Sequence, residues 1–374
     1  MRKAKLEEIE VLRGLAFLAV VLQHVIAGLF YQPGLSPGVL TVGTTVLGLS
    51  RYAVPLFVFI TGVVLFYNYD GELKFGAFLR KRFQQVVVPY LAWTVFYYVW
   101  VSFLSGVSAK STWLQLYDIL ELSLTGKASY HLWFMVMIIP FYLLYPLFRL
   151  LLSRQRSWQV NLGVVGAILM INLLLVYALS QGKIYSDNPN LGFIFQYLDR
   201  NFVFWIFYFM LGGLVGMYYE QWKGFVRKTW LISASLLVLC MVRIYFKVAE
   251  INAGVTDNPY LFSSNVTAPL KPFMMATILF QILLIFLLAG KIAASSGRGA
   301  KLLKTFGKFS FGAYLAHAFV LNIITKSVIA YLGVLGVYAQ TFVAFILCAV
   351  LSLGLCVGLS RMKTSVGETL VGRV

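Results

Sequence analysis

Ten stretches of about 20 predominantly apolar residues succeed one another along this chain, at approximately 11–30, 44–67, 84–104, 131–152, 160–180, 202–219, 229–247, 268–290, 309–332 and 338–360. A run of that length is what an α-helix needs to cross about 30 Å of hydrocarbon. Lipid offers no partner to a backbone N–H or C=O, so each run must close its hydrogen bonds within itself. The sequence therefore predicts an all-α, polytopic membrane protein with about ten transmembrane helices, residues 1–374 forming one integral membrane domain. Composition agrees: 60% of the 374 residues are hydrophobic and 12% charged, against roughly 45–50% and 25% in soluble domains. Mean hydropathy is +0.83. A soluble globule and intrinsic disorder are both excluded, and three Cys in so long a chain exclude a disulfide scaffold.

The net charge of +18 could signal nucleic-acid binding, but the charges sit in short clusters between the apolar runs. With the N-terminus inside, segments 1–13, 68–83, 149–159, 220–228, 291–308 and 361–374 hold 22 of the 31 Lys and Arg, while the outer loops hold only Lys110, Lys127, Lys183 and Arg200. The positive-inside rule then puts both termini in the cytoplasm and leaves no reason to expect a nucleic-acid partner. The first span follows a charged segment as a signal peptide would. It is long, carries Arg13 and His24 and lacks a cleavage site, so it reads as a retained helix. Segment 111–124 places Trp113, Leu116, Tyr117, Leu120 and Leu124 on one helical face and is too short to span. An amphipathic helix on the outer surface is expected. Residues 181–201 and 248–267 read as outer loops.

Ionisable groups at membrane depth are costly and point to function. Here they are one-sided: His24, Arg51, Arg243, Lys247, Lys271, His317 and Lys326 fall within spans, with no Asp or Glu deeper than the first turns. Cation transport and proton relays use carboxylates at depth, so the set points to an anionic ligand, with lipid snorkelling as the plain alternative for the near-terminal Lys residues. Arg51 and Arg243 lie deeper and are expected to face a cavity. Arg13 and His24 are eleven residues apart, three turns plus about 20°, with a rise of about 16 Å. They share one face, and Glu10 is placed to pair with Arg13. A neutral imidazole at that depth can serve as general base or carry an acyl group, or be a structural bond between helices. His131, in Tyr130-His131-Leu132-Trp133-Phe134, reads as an interfacial aromatic-belt residue. Ser310, Tyr314 and His317 form an i, i+4, i+7 stripe, either a packing seam or part of a site.

These features occur in a set order: Arg13–His24, Arg51-Tyr52-Ala53-Val54-Pro55-Leu56-Phe57 leading to Thr61-Gly62, Arg80-Lys81-Arg82 before Pro89-Tyr90, His131-Leu132-Trp133-Phe134, Gly212-Gly213, and Ser310 to His317. Together they resemble the acyltransferase type 3 family of bacterial membrane acyltransferases, over essentially the whole chain. The resemblance is to the branch without a fused extracellular domain, which includes polysaccharide O-acetyltransferases and the intercellular-adhesion membrane protein. Two departures are Thr61-Gly62, where many relatives have Ser-Gly, and Gln84-Gln85, where a further Arg is usual.

The resemblance implies that an acyl group, commonly acetyl, passes from cytoplasmic acyl-CoA to a hydroxyl of an extracytoplasmic glycan or polyprenyl-linked sugar; the Arg- and Lys-rich intramembrane set leaves open a dicarboxylic group such as succinyl. Arg80, Lys81 and Arg82 with Arg13 would hold the CoA phosphates, and His24 would act on the acceptor hydroxyl or receive the acyl group. Arg51 and Arg243 would form an outer basic chamber. His131, Trp133, Ser310, Tyr314 and His317 are carried over as substrate-side candidates. The alternative is a glycan exporter or flippase without acyl transfer. A polyprenyl-phosphate-sugar glycosyltransferase would want acidic residues in the first outer loop, and 31–43 has none. P-loop, HExxH and GxSxG signatures are absent, and no metal is expected, since the three His have no acidic or Cys partner nearby in sequence.

Overall fold

A computed structural model describes residues 6–29, 34–106, 111–184, 197–254, 264–362 and 364–372, and among them the secondary structure is helical, without strands. The helices are α1 (Glu7–Leu29), α2 (Pro37–Ser50), α3 (Ala53–Asn68), α4 (Phe75–Arg82), α5 (Val88–Ser105), α6 (Thr112–Thr125), α7 (Trp133–Leu143) and α8 (Tyr145–Leu151). They continue with α9 (Trp158–Ser180), α10 (Ile206–Met217), α11 (Tyr219–Gly254), α12 (Pro272–Ala293), α13 (Arg298–Ser327), α14 (Val337–Arg361) and α15 (Ser365–Val371). Among the described residues eight candidate spans are long and apolar enough to cross a membrane, α2–α3 counting as one, and nine if the bent pair α7–α8 is added. The remaining expected span, 202–219, is the shorter apolar segment Phe202–Met217. Lys110 and residues 185–196 and 255–263 of the expected outer loops lie outside the described residues, while 248–254, expected in a loop, continue α11.

Prolines decide where the spans break. Pro55 has no N–H to give the Arg51 carbonyl, and its ring crowds that oxygen. Expected span 44–67 accordingly splits at Arg51–Tyr52 into α2 and α3. Pro146 does the same to the Tyr142 carbonyl, and α7 and α8 meet at 62°. Pro89 stands four residues after Gln85, and the chain widens to a π turn over Phe83–Val87 between α4 and α5.

Glycine decides which helices touch. A Cβ on Gly14 of α1 would lie 2.5 Å from the Leu303 carbonyl oxygen of α13, and one on Gly307 of α13 would overlap the Glu10 carbonyl. Gly62 and Gly212 bring α3 and α10 together in the same way, each facing a backbone carbonyl of the other helix. Close small-residue approach of this kind is how helices associate where lipid removes the hydrophobic drive. The motif glycines are therefore contact points of the scaffold. Outward, α9, α11 and α14 expose Met170, Leu174, Leu231, Leu239, Phe342 and Val350, the surface a bilayer covers. α6 exposes Trp113, Leu116, Tyr117, Leu120 and Leu124, as the amphipathic reading expected. The chain is a multi-pass membrane protein.

Candidate functional site

The close packing of α1 on α13 gathers residues that are hundreds of positions apart in sequence. On the face where the basic clusters lie, a cavity of ≈ 270 Å³ opens between α1, α3, α7, α13, the π turn and α15. Its charged lining is Arg13, Arg82 and Lys308, and Thr61, Ser310, Gln85 and Tyr142 add polar atoms. Glu10 is close enough to attract the Arg13 guanidinium, as the sequence suggested. Arg82 donates to the Tyr69 hydroxyl (3.3 Å) and lies over the rings of Tyr69, Phe78 and Tyr142, which fix its direction. Arg80 and Lys81, expected to share its task, are exposed and do not line the cavity.

Its aromatic lining includes Phe57, Phe134 and Tyr314, whose rings touch one another with centroids 5.6 to 6.3 Å apart. On the other side of Tyr314 lie the three histidines. His24 and His317 stack with ring centroids 5.2 Å apart, His131 stands 4.6 Å from His317, and the Tyr314 ring is 5.3 Å from His131 and 5.6 Å from His317. The Tyr314 hydroxyl donates to the His131 carbonyl. The Tyr130 ring lies 4.6 Å from His24 and 5.6 Å from His131, and Tyr130 is itself exposed.

Hydrogen bonds separate the roles open to these rings. A carbonyl only accepts, so His131 Nε2–H donates to Leu315 O (3.3 Å), and Nδ1 pairs with the Ser129 hydroxyl (3.1 Å). With both nitrogens engaged and 1% of its surface exposed, His131 is a buried brace between α13 and the start of α7. That corrects its reading as an interfacial belt residue. His317 Nδ1–H donates to Tyr314 O, so its Nε2 is an acceptor, buried and without a hydrogen bond among the described residues. His24 is half-buried. The two rings able to receive a proton are thus the stacked pair.

The surroundings include residues that spacing alone did not reveal. Gln23 donates to Ser50 O (2.6 Å) and accepts from Arg51 Nη1 (3.4 Å), pinning the α2–α3 break beside α1. Arg51 is thereby set where its charge is felt at His24. Tyr97 donates to Leu315 O (2.8 Å) and accepts from Phe319 N–H (3.1 Å). Those two groups would bond each other in a regular helix, so the hydroxyl is inserted into α13 at the turn bearing His317. A polar amide next to His24 and a Tyr on an apolar span were the available signals. Ser310, expected on the stripe, lines the cavity and donates to Gly307 O (2.9 Å). Trp133 opens α7 with its ring 5.8 Å from that of Trp205, away from the histidines. Arg243, expected to face a cavity, is exposed instead, its guanidinium 4.4 Å from the Phe273 ring centroid, and among the described residues no contact joins it to Arg51.

The family described as an acyltransferase domain matches residues 6–361, and the chain belongs to that type 3 acyltransferase family. The chain is 24% identical to a probable poly-beta-1,6-N-acetyl-D-glucosamine export protein of Staphylococcus aureus over 97% of this chain and 93% of that one. It is 23% identical to the protein of the same description from Staphylococcus epidermidis, over 97% and 92%. No solved structure matches the chain. Family and fold together make it a multi-pass protein of a bacterial membrane.

Proposed function

We propose that the protein transfers an acyl group from acyl-CoA, acetyl-CoA foremost and a succinyl donor as a further candidate, to a hydroxyl of an extracytoplasmic glycan or polyprenyl-linked sugar. The basic face and both termini are then cytoplasmic. The observation that carries this reading is the juxtaposition of a cation-lined cavity on that face with a stacked histidine pair, His24 half-buried and His317 buried, which the cavity-lining Tyr314 touches. Arg13, Arg82 and Lys308 would receive the CoA phosphates, Arg82 as a guanidinium already oriented by three rings. Arg80 and Lys81 would act only as outer attraction for the donor. The pantetheine arm would pass the Tyr314 wall to bring the thioester carbonyl to His24.

At that point His24 takes the proton of the acceptor hydroxyl as the oxygen bonds to the thioester carbon. The tetrahedral oxyanion lies in the field of Arg51. When the carbon–sulfur bond breaks, the thiolate leaves and recovers the proton from the imidazolium, giving an ester and free CoA thiol. His317, stacked on His24 with its Nε2 an acceptor, would help hold the proton during the exchange. Incubation of the purified protein with labelled acyl-CoA and an amino-sugar oligosaccharide tests this. Label in the glycan with an equal quantity of thiol is expected; neither product with a folded protein overturns the reading.

The relatives' description as export proteins favours a second reading, movement of a poly-N-acetylglucosamine chain without chemistry. An exporter would move glycan across a vesicle membrane with acyl-CoA absent, and the His24→Ala variant would still do so.

A further inference from the structure

A second and larger hollow, ≈ 500 Å³, lies on the same basic face but outside the site, between the first part of α11, the last part of α12 and the start of α1. We propose that it is a binding site for an anionic phospholipid of the adjoining leaflet, independent of the acyl-transfer reading.

The ligand's chemistry follows from how the lining is graded. On α11, Lys223, Arg227 and Trp230 lie at i, i+4 and i+7, one face of a helix over about 10 Å. On α12, Phe286, Gly290 and Lys291 repeat the order in reverse. Both helices thus present cations toward the same end and aromatic rings toward bilayer depth, which is the polarity of a phosphate head above acyl chains. Lys223 is largely neutralised, 4.0 Å from Glu8 and 3.3 Å from Glu220. Arg227 and Lys291 are exposed, and neither forms an ion pair among the described residues. Two uncompensated cations at one mouth match a phosphodiester. Below them Gly290 lines the hollow, and a Cβ there would meet nothing within 4 Å, so the space beside it is open. Exposed Trp230 and buried Phe286 wall the space left, and aromatic rings at headgroup depth suit a lipid glycerol region.

The test compares thermal unfolding of detergent-solubilised protein with added phosphatidylglycerol or phosphatidylcholine of the same acyl chains. Phosphatidylglycerol is expected to raise the midpoint by several degrees and phosphatidylcholine to leave it unchanged. Gly290→Leu puts a side chain into the hollow just below the two cations without touching a charge, and with open space at its Cβ the variant is expected to keep its baseline stability. It is expected to lose the phosphatidylglycerol shift, as is the Arg227→Gln/Lys291→Gln variant. Equal shifts with both lipids, a full shift in both variants, or stabilisation by a polyprenyl phosphate and not by phosphatidylglycerol would overturn the proposal.

Discussion

Exchange of Gly14 for Ala separates what α1 contributes to stability from what it contributes to the site. The new methyl carbon would lie 2.5 Å from Leu303 O and 3.3 Å from Gly307 N. Carbon and carbonyl oxygen settle at about 3.3–3.6 Å, so α1 and α13 must part by about 1 Å. Backbone faces backbone there, and no flexible side chain can yield instead. Overpacking of this kind costs about 1–3 kcal/mol, partly offset by the roughly 1 kcal/mol better helix propensity of Ala. The midpoint of thermal unfolding, followed by tryptophan fluorescence, should fall by only a few degrees. The site should suffer more, because His24 rides on α1 and His317 on α13. A displacement of about 1 Å in a reacting constellation costs on the order of 100-fold in rate. Thiol release from acyl-CoA should therefore drop by about 10- to 100-fold. Gly28→Ala, on the same helix with nothing within 4 Å, is the control and should behave as wild type. If the Gly14 and Gly28 variants are alike in rate and midpoint, the close α1–α13 approach does not position the pair.

Loss of the proposed base in His24→Ala should lower transfer by about 10²–10⁴-fold with little change in folding. His131→Gln, which strips a brace and leaves Leu315 O short of a donor, should show first as reduced thermal stability. Arg82→Ala should raise the apparent KM for acyl-CoA by about 10-fold, the loss of one charge-assisted contact, whereas Arg80→Ala and Arg243→Ala should leave it within about 2-fold. For Tyr97→Phe, the Leu315 carbonyl and Phe319 N–H lose their bridge, at a cost of about 1–3 kcal/mol. Its transfer rate should fall while KM holds, and an unchanged rate would show that the opened turn of α13 is irrelevant to chemistry.

The spans were legible because each must carry some twenty apolar residues whatever its neighbours do. Their interruptions were less so. Pro55 is compatible with the first turn of a helix and with a kink in a longer one, and only the structure places the break at Arg51. The Arg13–His24 geometry rested on helical repeat alone, and both residues lie on the unbroken α1, Arg13 at the cavity and His24 against His317. Convergence of His24, His131 and His317 depends on which helices pack together, and Gly14 and Gly307 encode that without announcing their partners. Arg51 and Arg243 were matched because both lie at similar depth; depth does not reveal which way a residue faces, and one turns inward while the other stacks on Phe273. α15, whose Leu370 carbonyl accepts from Trp93 Nε1 at 3.0 Å and whose Val371 lines the cavity, carried no apolar run long enough to be noticed.

A membrane under voltage stores about 2.3 kcal/mol per 100 mV for every elementary charge that can cross it. A passage wet from end to end would discharge that store through the very protein meant to work in it. Phe57, Phe134 and Tyr314 touch one another along the basic-side cavity, and such a plug of rings, parting only for the slender uncharged arm of the proposed donor, would refuse protons and sodium. Paring two of these rings to alanine would be felt first as leakage and a depolarised cell, before any change in the product was noticed.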